Sequence, residues 1–215
     1  MIPNGDYLTL AGVAPDDISA ILCGVPRSGT IWAWQILCDL MPGGVIHTHE
    51  YLVMKPYIPV VCTIRDPRDC LASNWRVDRP VGLDHCTRER LFWYAANLQR
   101  FCWIVRQYID RRGALLVRYE KMMADVPETI REVAAWVGVL LSVPQSNAIA
   151  ARHSMKRNRQ LQEQSPDGAF SRETLLHSRH VGKGEAGTWR EWIAERDWPL
   201  LHELLGPLCE EWGYT

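Results

Sequence analysis

Between residues 23 and 32 the chain reads Cys23-Gly24-Val25-Pro26-Arg27-Ser28-Gly29-Thr30-Ile31-Trp32. An apolar run, Ile18 to Cys23, precedes this segment, and a helix-periodic stretch with Ile31, Trp34, Leu37, Cys38 and Met41 follows it. That succession predicts a strand, a glycine-containing turn and a helix. Such a turn points successive backbone N–H groups and the positive end of the helix at one spot, which is a site for an anion. Gly24 and Gly29 are separated by four residues, as in a nucleoside-triphosphate P-loop. That loop continues Gly-Lys-[Ser/Thr], whereas here Thr30 follows Gly29 and the cation stands earlier, at Arg27. The segment therefore reads as an anion cradle of another subtype.

Pro26 to Trp32 resembles the 5′-phosphosulfate loop of sulfotransferases that use 3′-phosphoadenosine 5′-phosphosulfate (PAPS), with Ile31 where that family usually carries Thr. Further family-like elements follow in order. Ile58 to Ile64 reads as a buried strand running into Arg65-Asp66-Pro67-Arg68-Asp69. Asp66 suits a helix N-cap and Pro67 the first helical position, so a helix begins there. Arg65 then stands at a strand's carboxyl end, where open α/β sheets bind ligands. Arg65 and Ser73 resemble the pair that holds the nucleotide's 3′-phosphate in this family. Arg118-Tyr119-Glu120-Lys121-Met122 resembles the segment whose Tyr lies against adenine. Gly182-Lys183-Gly184-Glu185-Ala186-Gly187-Thr188-Trp189 resembles the loop that folds over the nucleotide, with Gly182 in place of the family's Arg. The expectation is that Arg179 or Arg190 compensates.

Val45 to Glu50 reads as a short strand entering a loop, with His47 and His49 two apart. The stretch resembles the family's Lys-Thr-His segment, which makes His49 the general base and puts His47 at the Lys position; Glu50 is a second candidate base. No Cys or carboxylate cluster with metal-ligand spacing accompanies the histidines, so no metal is expected. The resemblance implies donor-site residues Arg27, Ser28, Gly29, Thr30, Ile31, Trp32, Arg65, Ser73, Tyr119, Lys183 and Gly184, with His49 and Arg27 catalytic.

Composition is compatible with this reading. The 215 residues suit a single domain, spanning 1–215, with an ordinary 47% hydrophobic content. A net charge of -1 offers no global attraction to nucleic acid, so a basic site must be local. Arg152 to Arg159 reads as a solvated basic face. Met1 to Asp6 lacks the basic start and apolar core of a secretory signal, and no apolar run reaches the roughly 18 residues of a membrane span. Seven cysteines, an odd number without a Cys-x-x-Cys pair, read as reduced and structural, which points to a cytoplasmic protein.

The remaining elements are a long amphipathic helix from Arg88 to Arg111, a strand from Ala114 to Val117, and helices over Pro127–Val137, Val143–Arg159 and Pro199–Trp212. The expected fold class is α/β: a mainly parallel central sheet flanked by helices, a three-layer sandwich of the P-loop nucleotide-binding kind. The implied function is transfer of a sulfuryl group from PAPS to a hydroxyl or amine of a small-molecule acceptor, without nucleic acid or membrane partner. Two other readings stay open. One is a P-loop kinase or NTPase; the other is a nucleotide-binding protein of the same fold without activity.

Overall fold

Four short strands are mostly apolar, which is the pattern of strands covered on both faces. In the computed structural model, which describes residues 17–41, 44–80, 82–164, 171, 174–176, 179 and 181–214, they are β1 (Ala20–Gly24), β2 (Val45–Thr48), β3 (Val60–Ile64) and β4 (Leu115–Arg118). They form one parallel sheet in the order β2-β1-β3-β4. The helices are α1 (Thr30–Leu40), α2 (Pro67–Asp78), α3 (Arg88–Arg112), α4 (Tyr119–Ala124), α5 (Val126–Trp136), α6 (Val143–Arg152), α7 (Met155–Glu163), α8 (Trp189–Trp192) and α9 (Trp198–Glu211).

Because side chains alternate across a strand, the sheet separates two cores. Ile21 and Cys23 of β1 join Cys62, Ile64 and the buried faces of α2, α3 and α9, including Trp75, Leu98, Tyr108 and Leu205. Ala20, Leu22, Val61 and Val117 point the other way, onto Ile36 and Leu37 of α1 and Ile130 and Val133 of α5. The three-layer α/β expectation therefore holds. All seven thiols are free and six are buried. No described helix is long and apolar enough to cross a membrane.

Local signals explain the element starts. Asp66 caps α2 by accepting the N–H of Arg68 at 2.9 Å, with Pro67 in the first turn. Thr87 caps α3 through Arg90, and Gly113 ends it at φ 59°, a conformation open to glycine. One expectation needs correction. The span Val143–Arg159 is two helices, because Ser154 leaves the helical conformation and caps α7 by accepting from the N–H of Arg157. Tyr119 opens the helix α4 directly after β4. The sequence also reads as an irregular lead-in over residues 1–17 and a helix stop at Pro42-Gly43-Gly44; residues 1–16, 42 and 43 lie outside the described residues.

Parallel strands deliver their carboxyl ends to one edge. His49, the 24–30 turn, Arg65 and Tyr119 each follow a strand there. The chain runs outward from β1 to β2 and then crosses to β3 on the opposite side of β1, so a topological switch point lies between β1 and β3. Ligands of open α/β sheets bind at that place.

Candidate functional site

The turn after β1 is built around bare backbone. A Cβ on Gly24 would lie 2.1 Å from Thr63 Oγ1 and 2.5 Å from Thr30 Cγ2. That empty space lets Thr63 reach Ser28, whose Oγ lies 2.7 Å away. Ser28 Oγ donates to the Val25 carbonyl at 2.6 Å, and its backbone N–H turns to the same oxygen at 3.1 Å. Ser28 is thus used inside the turn and does not line the cavity described below. The start of the next helix lies one residue later. Gly29, at φ 86°, is the N-cap of α1 and leaves the first-turn N–H groups of that helix without intrahelical partners. Arg27 also has positive φ, 74°, which is uncommon for a side-chain-bearing residue and marks stored strain.

Arg27 reaches across to α2, where its Nε donates to Ser73 Oγ at 3.1 Å. Burial and the neighbouring Arg76 lower its pKa to about 10, so it stays a cation at any physiological pH. Arg65 is 6% exposed. Its guanidinium lies 4.4 Å over the Tyr119 ring, donates to the Glu185 carbonyl at 2.7 Å and meets Asp69 at 3.4 Å, while its Nε has no partner. Asp69, fully buried, accepts from the backbone N–H groups of Gly187 at 2.8 Å and Trp189 at 3.0 Å. Tyr119 Oη donates to the Gly184 carbonyl at 3.1 Å. The 184–189 segment is thereby drawn down over Arg65 and Tyr119.

These groups enclose a cavity of about 360 Å³, within the range of small-ligand sites. Gly29, Thr30, Ile31, Trp32, Arg65, Ser73, Tyr119, Lys183 and Gly184 all line it together with Arg27, so nearly all the expected donor residues converge. Among the described residues, its charged lining is four cations (Arg27, Arg65, Arg76 and Lys183) against one carboxylate, Glu191. Glu191 is itself ion-paired with Lys183, whose Nζ lies 2.9 and 2.8 Å from its two oxygens.

Sequence reading missed Arg76 and Asp69. The only signal was their spacing from Ser73, which puts positions 69, 73 and 76 on one face of α2. Arg179 and Arg190, the expected substitutes for the cation absent at 182, are engaged elsewhere. Arg179 donates to the Val77 carbonyl at 3.2 Å and Arg190 lies 4.3 Å over the Trp189 ring.

The two histidines sit beside this cavity without lining it. Their rings meet edge-on with centroids 4.8 Å apart, and His49 packs against Phe101. His49 Nδ1 lies 2.7 Å from the Gly24 carbonyl. A carbonyl only accepts, so Nδ1 carries the proton and Nε2 keeps its lone pair. Burial holds His49 below its ordinary value and pushes His47 down to about 3, so both rings are neutral. Glu50 is drawn away into an ion pair with Arg100.

Comparison with known proteins gives one family. The model described as "Sulfotransferase domain" matches residues 44–212, a span that begins after the anion turn. No curated protein sequence matches the chain. Among solved structures, mouse sulfotransferase SULT7A1 complexed with PAP superposes with a TM-score of 0.68 at 14% identity, covering 94% of this chain and 89% of that one. Retinol dehydratase superposes at 0.61 with androsterone and PAP bound, over 94% of this chain and 85% of that one, and at 0.63 with retinol and PAP bound, over 95% and 86%. Its identity to this chain is 16% in both cases.

Proposed function

The chain belongs to the sulfotransferase domain family, and on that premise we propose that it transfers a sulfuryl group from PAPS to a hydroxyl or amine of a small-molecule acceptor. One observation carries this reading: among the described residues, four cations and a single, already paired carboxylate line a nucleotide-sized cavity floored by the N-terminus of α1. Of these cations Arg65 is buried and Arg27 desolvated, and such charge is costly unless an anion neutralises it. Relatives of the same fold have been crystallised with PAP, the product that PAPS leaves behind.

The residues fit that donor part by part. First-turn N–H groups of α1, starting at Gly29, suit the 5′-phosphosulfate. Arg65 with its partnerless Nε, and Ser73 beside it, suit the 3′-phosphate, for which a guanidinium fork is well shaped. Trp32 and Tyr119 offer aromatic faces to the base. Bound PAPS supplies an activated sulfuryl group. Arg27 stabilises the negative charge that grows on the leaving phosphate oxygen, an electrostatic role because the guanidinium keeps its proton. His49 takes the acceptor's proton at Nε2, its tautomer set by the Gly24 carbonyl. The acceptor is a small molecule; the structural relative retinol dehydratase is known with retinol and with androsterone.

Thermal-shift titration with adenosine 3′,5′-bisphosphate (PAP) against ADP, with and without Mg²⁺, tests the donor. A large metal-independent shift for PAP alone is expected. A preference for Mg-ADP would instead support the kinase reading.

A further inference from the structure

We propose that Arg76 is a phosphate ligand of the donor cavity, a cation supplied by helix α2 in the space that Gly182 leaves bare. The inference rests on the donor reading above and assigns Arg76 to the 3′-phosphate end, with Ser73 and Arg65.

Position 76 lies one helical turn beyond Ser73 and two beyond Asp69, so the three side chains form a stripe along α2, of which Ser73 and Arg76 line the cavity. Each has a distinct partner. Asp69 holds the 187–189 backbone, Ser73 accepts from Arg27, and Arg76 lies against Gly182. A Cβ at position 182 would sit 3.2 Å from each of Cζ, Nε and Nη2 of Arg76. Three equal distances mean that the flat face of the guanidinium rests on Gly182, which leaves its edges to make in-plane hydrogen bonds. One edge donates from Nη2 to the Arg179 carbonyl at 3.0 Å. The backbone opposite is pinned from the other side, where Arg159 of α7 donates to the carbonyls of Gly182 at 2.9 Å and Lys183 at 3.2 Å. A side chain at 182 would press on the Arg76 guanidinium, which would have to give by a few tenths of an ångström, and a second guanidinium there would crowd it; here the helix provides the cation.

Electrostatics agrees with a ligand role. Arg76 is the foremost charged neighbour lowering the Arg27 pKa, and Arg65 is the foremost one lowering that of Arg76. Three guanidiniums that repel one another around a single cavity are relieved by a multiply charged anion among them.

The test is isothermal titration of the intact protein with PAP and with adenosine 5′-monophosphate, which lacks the 3′-phosphate. Arg76→Gln, which keeps most of the bulk and a donor toward Arg179, is expected to weaken PAP at least tenfold and leave the monophosphate within twofold. Arg76→Ala with Gly182→Arg returns the cation from the loop and is expected to recover most of the lost PAP affinity. Gly182→Arg alone, which crowds two guanidiniums, is expected to weaken PAP. An equal loss for both nucleotides would make Arg76 a clamp of the 179–182 segment and overturn the proposal, as would unchanged PAP binding in Arg76→Gln. If the unmodified protein ignores PAP, the donor reading itself fails, and that result is separate from any behaviour of the variants.

Discussion

Asp69 Oδ1 accepts the backbone N–H of Trp189 at 3.0 Å, across 120 positions of sequence, with both residues buried. The other oxygen of the same carboxylate takes the N–H of Gly187 at 2.8 Å and faces Arg65 at 3.4 Å. One side chain on α2 therefore ties the segment that covers the cavity to the arginine beneath it. Asp69→Asn cannot serve both sides, because whichever way the amide turns, its NH₂ meets an N–H donor. Loss of about 3 kcal/mol of stability is expected, the scale for breaking a buried, hydrogen-bonded charge pair. Urea denaturation measures it, and faster proteolysis within 182–192 should accompany it. A loss under about 1 kcal/mol would mean that the segment is held by other contacts.

What was legible beforehand were features written in local chemistry. The Gly24–Gly29 turn, the Asp66-Pro67 helix start and the apolar strands each declare themselves within a few residues. The break at Ser154 was a local signal too, but it lies inside a run with continuous helical character, so the cap was read as interior. Asp69 and Arg76 could not be found that way. Their partners lie in another part of the chain, and only the parallel sheet brings α2 under the 182–189 segment. The use of Ser28 within its own turn was likewise hidden, because it depends on Thr63 of a neighbouring strand.

Gly24 is a fixed requirement of the anion turn. Alanine there places its Cβ 2.1 Å from Thr63 Oγ1, a buried atom on a central strand with no room to withdraw. Gly24→Ala is expected to cost about 2–3 kcal/mol through overpacking and to break the Thr63–Ser28 contact. Thr63→Ala in the same chain removes the nearer obstacle and leaves Thr30 Cγ2 at 2.5 Å, so the double variant should recover part of the loss and be more stable than Gly24→Ala alone. Thermal denaturation of the three variants checks this, and additive losses would show that the two positions are not coupled.

The buried histidines give the fold an acid limit. His47 falls from 6.5 to about 3 on folding, because burial disfavours its charged form. The unfolded chain therefore binds the extra proton first. The stability contributed by neutral His47 is complete above pH 6.5 and is lost as pH falls from there toward 3, by at most about 1.4 kcal/mol per unit. His47→Phe, which keeps a ring against His49 and cannot titrate, should flatten the stability profile between pH 6.5 and 4. An unchanged slope would place the acid sensitivity in other groups.

The proton abstraction proposed for His49 and the tautomer of its ring make separable demands. His49→Ala is expected to abolish transfer while PAP binds within about threefold, because His49 does not line the donor cavity. His49→Gln can keep a donor toward the Gly24 carbonyl, and so the turn, but has no basic lone pair. It should be as inactive as His49→Ala yet more stable, by about 1 kcal/mol for the retained hydrogen bond. Loss of PAP binding in both would assign His49 to the turn and remove it from the chemistry.

Arg27 combines strained backbone at φ 74° with a desolvated charge crowded by Arg76 and Arg65. Its side chain donates from Nε to Ser73 Oγ at 3.1 Å. Glycine adopts this φ without penalty, which is worth about 1–2 kcal/mol and offsets the lost hydrogen bond and the added chain entropy. Arg27→Gly is therefore expected to unfold no earlier than the parent protein while its transfer rate falls by at least a hundredfold, as for loss of a preorganised charge at a leaving oxygen. Arg27→Lys should lose nearly as much rate, because it keeps the charge but not the planar fork that reaches Ser73. A clear drop in stability for Arg27→Gly, with activity retained, would make Arg27 a structural member of the turn and leave the growing charge to the N-terminus of α1.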